Sequence, residues 1–373
     1  MATTTDEFNV PVGCVVLGVD THGETHHAAV VDHLGRHLGD AEFSATPAGY
    51  RGLLAWAQRH GGIVRAGVEG TGSYGAGLAR YLHDAGVVVI EVNRPDRSAR
   101  RMAGKSDPLD AYAAARAVLN GSATGLPKSR AGAVEAIRVL RVARRGAVMA
   151  RTQTVNQLKA LIITAPEDLR ERLAGLSLVA LVRLCAQLRP GATGAQLSVL
   201  ANPALAATKA ALRRLARRYQ QLTDEIAELD AEIHPLVKAT APQLLALQGV
   251  GPEVAGQLLA TAGDNPDRLR SEASFAHLCG VAPLPASSGR TRRHRLSRGG
   301  DRAANNALYT IVLTRLRQDP RTHAYVARRT AEGLTRKEIV RCLKRHVARE
   351  VYRALLGAAA PRLASPLGPL DRT

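Results

Sequence analysis

Short runs of apolar residues between turn residues predict the secondary structure of the first 125 residues. Residues 15–19 (Val-Val-Leu-Gly-Val), 64–68 (Val-Arg-Ala-Gly-Val) and 87–90 (Val-Val-Val-Ile) have the length and composition of buried strands. The whole pattern predicts strands at 13–20, 26–33, 35–45, 63–69 and 86–92 and helices at 47–60, 74–85 and 107–120. This order of elements is that of an α/β RNase H-like sheet, which we assign to residues 13–125.

Helical periodicity continues beyond this first domain. Residues 129–163 form a long helical pattern whose basic face is either solvated or lies along a nucleic-acid backbone. In residues 205–238, apolar positions alternate at spacings of three and four, which defines a heptad seam: Leu212, Leu215, Tyr219, Leu222, Ile226, Leu229, Ile233 and Leu236. The seam predicts either a helical hairpin with 129–163 in the same chain or pairing between chains, and we favour the second.

These patterns divide the chain into four parts. The α/β domain at 13–125 is followed by a helical coiled-coil domain at 129–240 and a mainly α C-terminal domain at 241–355. Residues 356–373 are rich in Ala, Pro and Gly, and this composition predicts a disordered tail.

Four carboxylates fall at the ends of the predicted elements. Asp20 and Glu69 each end a predicted strand, and Asp107 and Asp110 lie three residues apart at the start of a helix, with Pro108 suited to its first turn. In an RNase H-like sheet these elements converge, and paired metal ions held by carboxylates cut or join phosphodiesters. Taken singly, Asp20 is better explained as a turn residue and Asp107 as a helix cap. The four together predict a metal-dependent catalytic site.

The charge of the chain indicates a nucleic-acid partner. The net charge is +19 and the isoelectric point about 10.6, with Arg far outnumbering Lys. A GC-rich genome accounts for part of the Arg content, but residues 1–90 carry five basic and nine acidic side chains, whereas residues 290–353 carry 18 and five. An acidic catalytic half joined to a basic half predicts a nuclease-like fold followed by a basic region that binds nucleic acid. The candidate phosphate-binding residues are Arg144, Arg145, Arg151, Lys159, Arg290, Arg292, Arg293, Arg295 and Arg298.

Other classes of protein are disfavoured by the sequence. No apolar stretch reaches membrane-spanning length and no signal segment precedes the first strand, so we expect no membrane partner and a cytoplasmic protein. The four Cys residues are scattered without CxxC spacing, which argues against a zinc site and a disulfide framework.

The C-terminal domain carries a string of short motifs. Residues 247–252 (Leu-Gln-Gly-Val-Gly-Pro) are either a helix-hairpin-helix element or a plain connector. Residues 280–283 (Gly-Val-Ala-Pro), 287–289 (Ser-Ser-Gly), a basic loop and 299–305 (Gly-Gly-Asp-Arg-Ala-Ala-Asn) follow in order. This string resembles the C-terminal domain of transposases of the insertion-sequence 110 family. The N-terminal Asp, Glu and Asp-x-x-Asp resemble the same family's DEDD, RuvC-like domain, so that the likeness covers about 13–355.

The resemblance implies a specific activity. It implies a bacterial DNA recombinase that excises and inserts its own element, acts on element ends and target at the nucleoid, and is guided by a structured non-coding bridge RNA. Asp20, Glu69, Asp107 and Asp110 match the family's tetrad, which would bind Mg²⁺ (or Mn²⁺). Ser288, rather than its neighbour Ser287, matches the family's nucleophile, in an active site composed from two subunits. The heptads favour a homodimer as the building block, and the resemblance implies a tetramer at the synapse. Where the family has a basic residue shortly after the first Asp, this chain has His22-Gly23-Glu24.

Two other functions are compatible with parts of the sequence. A hydrolytic junction-resolving nuclease of the RuvC type needs the four carboxylates but no serine. A nucleic-acid-binding protein with a degenerate nuclease fold needs neither, and four intact carboxylates argue against it.

Overall fold

The computed structural model describes residues 10–92, 106–191, 202–289, 294–295, 297 and 299–357. The chain forms two compact units, one of residues 1–132 with 262–275 and the other of residues 133–261 with 276–373. The sequence-based division into three domains and a tail stays a prediction, and the tail from residue 358 onward lies outside the described residues.

The first unit is built on a five-stranded mixed sheet. Its strands are β1 (Cys14–Thr21), β2 (Thr25–Asp32), β3 (His37–Ser44), β4 (Gly62–Glu69) and β5 (Val88–Val92). Their order is β3-β2-β1-β4-β5, with β1, β4 and β5 parallel to one another and β2 antiparallel to both of its neighbours. The five predicted strands and their RNase H-like order are therefore confirmed.

Side chains that alternate along each strand give the sheet two apolar faces. One face carries Val15, Leu17 and Val19 and packs against α1 (Pro47–Gln58) and α2 (Ala76–Asp84). The other face carries Val16, Val31 and Ile90 and packs against α3 (Asp107–Leu119) through Ala114, Ala115 and Val118. Residues at even positions near the end of β1 therefore face α3.

A segment from the C-terminal half of the sequence completes the first unit. Residues 262–275 contain α10 (Glu272–Leu278) in part and a 3₁₀ turn at Pro266–Arg268. The Asn265 amide donates to the carbonyl of Pro127 and its oxygen accepts from the Ser129 N–H, while Arg270 donates to the Thr124 carbonyl. These bonds to main chain fix residues 124–129 after the last helix of the sheet domain.

The second unit is helical. Its helices are α4 (Ala133–Ile163), α5 (Glu167–Leu173), α6 (Leu178–Ala186), α7 (Pro203–Thr240), α8 (Pro242–Leu245), most of α9 (Pro252–Ala262), α11 (Arg302–Gln318), α12 (Pro320–Ala331) and α13 (Arg336–Leu355). A two-stranded ribbon, β6 (Leu284–Pro285) and β7 (His294–Arg295), lies between α10 and α11. For the described residues of 129–355, the mainly helical character predicted from the sequence is confirmed.

The two long helices α4 and α7 pack on each other within the chain. Seam residues Leu212, Ile226 and Ile233 are buried. Arg144 of α4 holds Asp230 of α7 through two hydrogen bonds, from Nε to Oδ1 at 2.6 Å and from Nη2 to Oδ2 at 3.0 Å. Of the two partners that the heptads allowed, the structure contains the intramolecular one, while pairing between chains stays a prediction.

The Arg144–Asp230 pair should contribute to stability at neutral pH. Hydrogen bonding from Arg144 lowers the pKa of Asp230 from its ordinary value against the opposing effect of burial. Because the folded pKa lies below the unfolded one, near 3.9, the contribution is fully present above that value and is lost as the pH falls through the folded pKa. We expect Asp230→Asn to lower the free energy of unfolding by about 1–2 kcal/mol at pH 7 and by much less at pH 3, measured by urea unfolding. Glu232→Gln, which changes an exposed carboxylate of the same helix, should have almost no effect.

No helix among the described residues combines the length and hydropathy needed to cross a membrane. The four Cys residues are free thiols, and burial raises the pKa of Cys185 to about 11 and that of Cys279 to about 12.

Candidate active site

Asp20 and Glu69 lie side by side at the ends of two neighbouring parallel strands. The register of β1 and β4 pairs Gly18 with Gly67 and Val19 with Val68, so the two carboxylates follow at equivalent positions. Val19 and Val68 face α1 and α2, and strand alternation therefore turns Asp20 and Glu69 toward α3. Both carboxylate residues are buried, with 6% and 8% of their surface exposed.

Two glycines let α3 come close to this edge of the sheet. A Cβ atom on Gly18 would lie 2.1 Å from the carbonyl oxygen of Ala111, and one on Gly67 would lie 2.7 Å from that of Ala114. Each glycine precedes a carboxylate by two residues and shares its face. The helix backbone therefore rests directly on β1 and β4, and its first turn reaches the strand ends where Asp20 and Glu69 lie.

Asp107 and Asp110 lie in the first turn of α3. Pro108 occupies the start of the helix, where its missing N–H is tolerated, and the Asp110 N–H donates to the Ser106 carbonyl. Asp110 is buried, whereas Asp107 keeps 43% of its side chain exposed. The four predicted carboxylates thus occupy the strand ends and the helix start that the sequence assigned to them.

His22 enters the same site, which sequence reasoning did not foresee. Its Nε2 atom lies 3.2 Å from Asp20 Oδ2 and 3.4 Å from Asp107 Oδ1. The ligand atoms of these three residues lie within 4.8 Å of one another, the one such group of three or more His, Cys, Asp or Glu side chains in the described ranges. The signal in the sequence was the Asp-x-His spacing, which strand alternation places on one face.

The donor set fits a divalent metal ion. Carboxylate oxygens are the ligands that Mg²⁺ and Mn²⁺ take in proteins, and an imidazole nitrogen is compatible with the second of these. Near the site, burial lowers the pKa of His26, which favours its neutral form, and its ring stacks on Tyr50 with centroids 5.6 Å apart.

In the second unit, Ser287 and Ser288 are exposed on the loop that follows β6. Hydrogen bonds from Asn305 join the two ends of the segment that contains this loop. Asn305 Nδ2 donates to the carbonyls of Cys279 and Gly280 at 3.0 Å each, and the buried Lys344 Nζ donates to Asn305 Oδ1 at 2.9 Å. Burial lowers the pKa of Lys344, and the positive charge of Arg341 lowers it further. The Asn that ends the sequence motif therefore holds the base of the loop.

Asp301, in the same motif, caps the helix that follows the loop. Its carboxylate accepts from the N–H groups of Ala303 and Ala304 at the start of α11 and from the Thr261 hydroxyl at 2.8 Å. At the earlier turn of residues 247–252, Arg315 donates to the Gln248 carbonyl at 2.8 Å, which fixes this turn to α11. A role of its glycines in phosphate binding stays a prediction.

The predicted basic contacts have different surroundings. Arg144 is engaged with Asp230, and Arg151 lies over the Tyr219 ring at 5.9 Å from its centroid. Arg145, Lys159 and Arg295 are exposed. Arg290, Arg292, Arg293 and Arg298 lie outside the described residues. Nucleic-acid binding by each of these residues stays a prediction.

The sheet order and the carboxylates at its edge define a member of the RNase H-like class of phosphodiester-processing domains. Residues 17–164 match the transposase family model for the DEDD domain of IS110 elements, and residues 241–327 match the model described as transposase, IS116/IS110/IS902 family. The chain belongs to the IS110 family of transposases, with a DEDD domain at its N-terminus.

Two relatives are proteins of insertion elements. The chain is 32% identical over 157 residues to an uncharacterized 42 kDa protein of insertion element IS900 from Mycobacterium paratuberculosis, an alignment that covers 41% of this chain and 39% of that protein. It is 32% identical over 120 residues to an uncharacterized 43.6 kDa protein of insertion element IS110 from Streptomyces coelicolor, covering 31% of this chain and 29% of that protein. The matched region thus spans well under half the length of each relative.

Proposed function

We propose that this protein is the DNA recombinase of an insertion sequence, which excises the element and inserts it at a new site. The observation that carries the proposal is the convergence of Asp20, Asp107 and His22 at the sheet edge beside Glu69, in a domain of the DEDD transposase family. A site of this composition suits phosphodiester chemistry rather than hydride or acyl transfer.

The carboxylates would hold the metal that this chemistry needs. Asp20 and Asp107 would ligate one ion, which the closeness of their oxygens supports, and Glu69 and Asp110 would complete the set. A bound Mg²⁺ or Mn²⁺ ion would stabilise the charge that develops on the scissile phosphate. Asp20, Glu69 and Asp110 are buried on strand ends and a helix, and this burial would restrict the motion of their side chains before DNA arrives.

Ser288 is proposed as the nucleophile. Its Oγ atom would attack the scissile phosphorus, a phosphoserine bond would form, and the displaced deoxyribose oxygen would leave with a proton. Attack of a hydroxyl from the second DNA strand on this bond would then restore the serine and join the strands without ATP. Exposure of the Ser287–Ser288 loop, and the fixing of its base by Asn305, support access of the hydroxyl to DNA.

Guidance by RNA and assembly into oligomers are further parts of the proposal. Both are implied by the family's motifs, and the basic character of residues 290–353 supports a nucleic-acid partner in addition to the DNA that is cut. We propose a dimer as the building block, a tetramer at the synapse, and action in the cytoplasm at the bacterial nucleoid. The RNA would be a structured, non-coding transcript of the element's own end.

A reconstituted recombination assay tests this proposal. Purified protein, donor and target plasmids, Mn²⁺ or Mg²⁺ and the adjacent non-coding RNA should give a joined product, and omission of the metal or the RNA should abolish it. We expect Asp20→Ala to lower the product yield at least about 100-fold, because one buried metal ligand is lost. Asp84→Ala, which removes an exposed carboxylate at the end of α2, should leave the yield unchanged.

Other results of this assay would contradict parts of the proposal. Metal-dependent cleavage of branched DNA without RNA and without joined product would favour the hydrolytic junction nuclease of the RuvC type. Full activity of Asp20→Ala would place the active site elsewhere. Binding of DNA without any cleavage under all conditions would favour a degenerate nuclease fold.

A further inference from the structure

His22 is held at the candidate metal site by the local geometry of the chain. It follows β1 by one residue, and its N–H donates to the Thr25 carbonyl at 3.0 Å, which closes the turn into β2. Since alternate residues of an extended chain share a face, Gly18, Asp20 and His22 all point toward α3. The imidazole position is therefore set by the strand and by a hydrogen-bonded turn.

The ring nitrogen that enters the site is shielded from solvent but is not used in a hydrogen bond. Although 42% of the His22 side chain is exposed, the Nε2 atom itself is buried and has no partner of hydrogen-bond geometry among the described residues. Its nearest polar atoms are the Asp20 and Asp107 oxygens, at 3.2 and 3.4 Å. A buried nitrogen that faces two carboxylate oxygens without bonding to either has the arrangement of one ligand in a set of three.

We propose that His22 is a nitrogen ligand of the catalytic metal ion and that it shifts the metal preference of this site from Mg²⁺ toward Mn²⁺. Mg²⁺ is a hard ion that strongly prefers oxygen ligands, whereas first-row transition ions accept imidazole nitrogen readily. A site of four carboxylates alone offers only oxygen ligands, which both ions accept, and so would not select between them by ligand type. The inference rests on the proposed function, because it assumes that the carboxylates bind metal at all.

Metal titration of the purified full-length protein tests the inference without DNA or activity. Calorimetry with MnCl₂ or MgCl₂ alone gives the two dissociation constants for wild type, His22→Gln and His22→Ala. Gln extends a carbonyl oxygen to nearly the position of Nε2 and so replaces the nitrogen ligand by an oxygen. We expect His22→Gln to weaken Mn²⁺ binding about tenfold and Mg²⁺ binding less than about threefold, and His22→Ala to weaken Mn²⁺ binding about 10- to 100-fold.

A spectroscopic measurement on the same samples identifies the ligand directly. Pulsed electron paramagnetic resonance of bound Mn²⁺ should show coupling to an imidazole ¹⁴N nucleus in the wild type and in His83→Ala, a control that removes an exposed histidine at the end of α2. The coupling should be absent in both His22 variants.

The possible outcomes distinguish a failure of the His22 proposal from a failure of the proposed metal site. Equal weakening of both metals in His22→Gln, no change in either, or a wild-type spectrum without nitrogen coupling would overturn the role of His22 and leave the carboxylate site standing. Absence of any Mn²⁺ or Mg²⁺ binding by the wild type, with Asp20→Ala indistinguishable from it, would instead overturn the metal site of the proposed function.

Discussion

Replacement of Gly18 by alanine is expected to lower the free energy of unfolding by at least about 3 kcal/mol and to abolish metal binding. The added Cβ atom would lie 2.1 Å from the Ala111 carbonyl oxygen and 2.4 Å from the Ala115 nitrogen. Both are backbone atoms of α3, so no side-chain rotation relieves the overlap and the helix must move away from β1. Asp107 and Asp110 move with the helix, and the metal site is lost with the stability.

Urea unfolding and calorimetric Mn²⁺ titration of the variant measure both effects. Gly62→Ala is the matched control, because it changes a glycine of the neighbouring strand β4 whose Cβ would meet only the Cys14 sulfur, at an ordinary contact distance of 3.5 Å. It should change stability by less than about 1 kcal/mol. A Gly18→Ala protein with wild-type stability and metal affinity would show that α3 does not rest on Gly18.

The sheet of the first unit was predictable because its signals are local. The buried strands β1 and β4 are short, mostly apolar runs, and Asp20 and Glu69 follow these runs at the sheet edge. Asp107 and Asp110 could be assigned to one helical face from Pro108 and a spacing of three. For these elements, the spacing of apolar residues and the identity of the turn residues were sufficient for the prediction.

Features that depend on distant parts of the chain were not predictable. His22 belongs to the site only because the first turn of α3 comes to rest beside the end of β1, 85 residues earlier in the sequence. Arg144 and Asp230 join two helices whose relative register is not determined by any local sequence pattern. Arg144 was predicted to bind phosphate, and in the structure it also has a partner within the protein. Similarly, no local sequence pattern in residues 262–275 predicts that they belong to the first unit.

The heptad seam shows a different limit of sequence reasoning. The spacing of apolar residues in α7 requires a helical partner but carries no information about which chain supplies it. The structure contains a partner in α4 of the same chain, with Leu212 and Ile233 fully buried. Asp230, in the acidic part of α7, is bonded to Arg144 of the basic helix α4 in the same chain, and pairing between chains stays a prediction.

Ser288→Ala is expected to abolish strand exchange, with a loss of at least about 1,000-fold, because no other group in the mechanism forms the covalent bond to DNA. Ser288 is exposed, and within the described residues its hydroxyl makes no hydrogen bond. Its removal should therefore leave the free energy of unfolding within about 0.5 kcal/mol of wild type and leave DNA and RNA binding intact. Ser287→Ala is the matched control, since it removes an equally exposed hydroxyl from the same loop. Retained exchange in Ser288→Ala, with loss in Ser287→Ala, would move the nucleophile by one residue.

Covalent capture tests the central claim most directly. Wild type, Ser288→Ala and Ser287→Ala are incubated with labelled element-end DNA, the adjacent non-coding RNA and Mn²⁺ or Mg²⁺, and the products are separated on denaturing gels. We expect a protein–DNA adduct in wild type and Ser287→Ala that is absent in Ser288→Ala. Cleaved DNA without an adduct in any of the three proteins would show that water is the nucleophile and would exclude the serine mechanism.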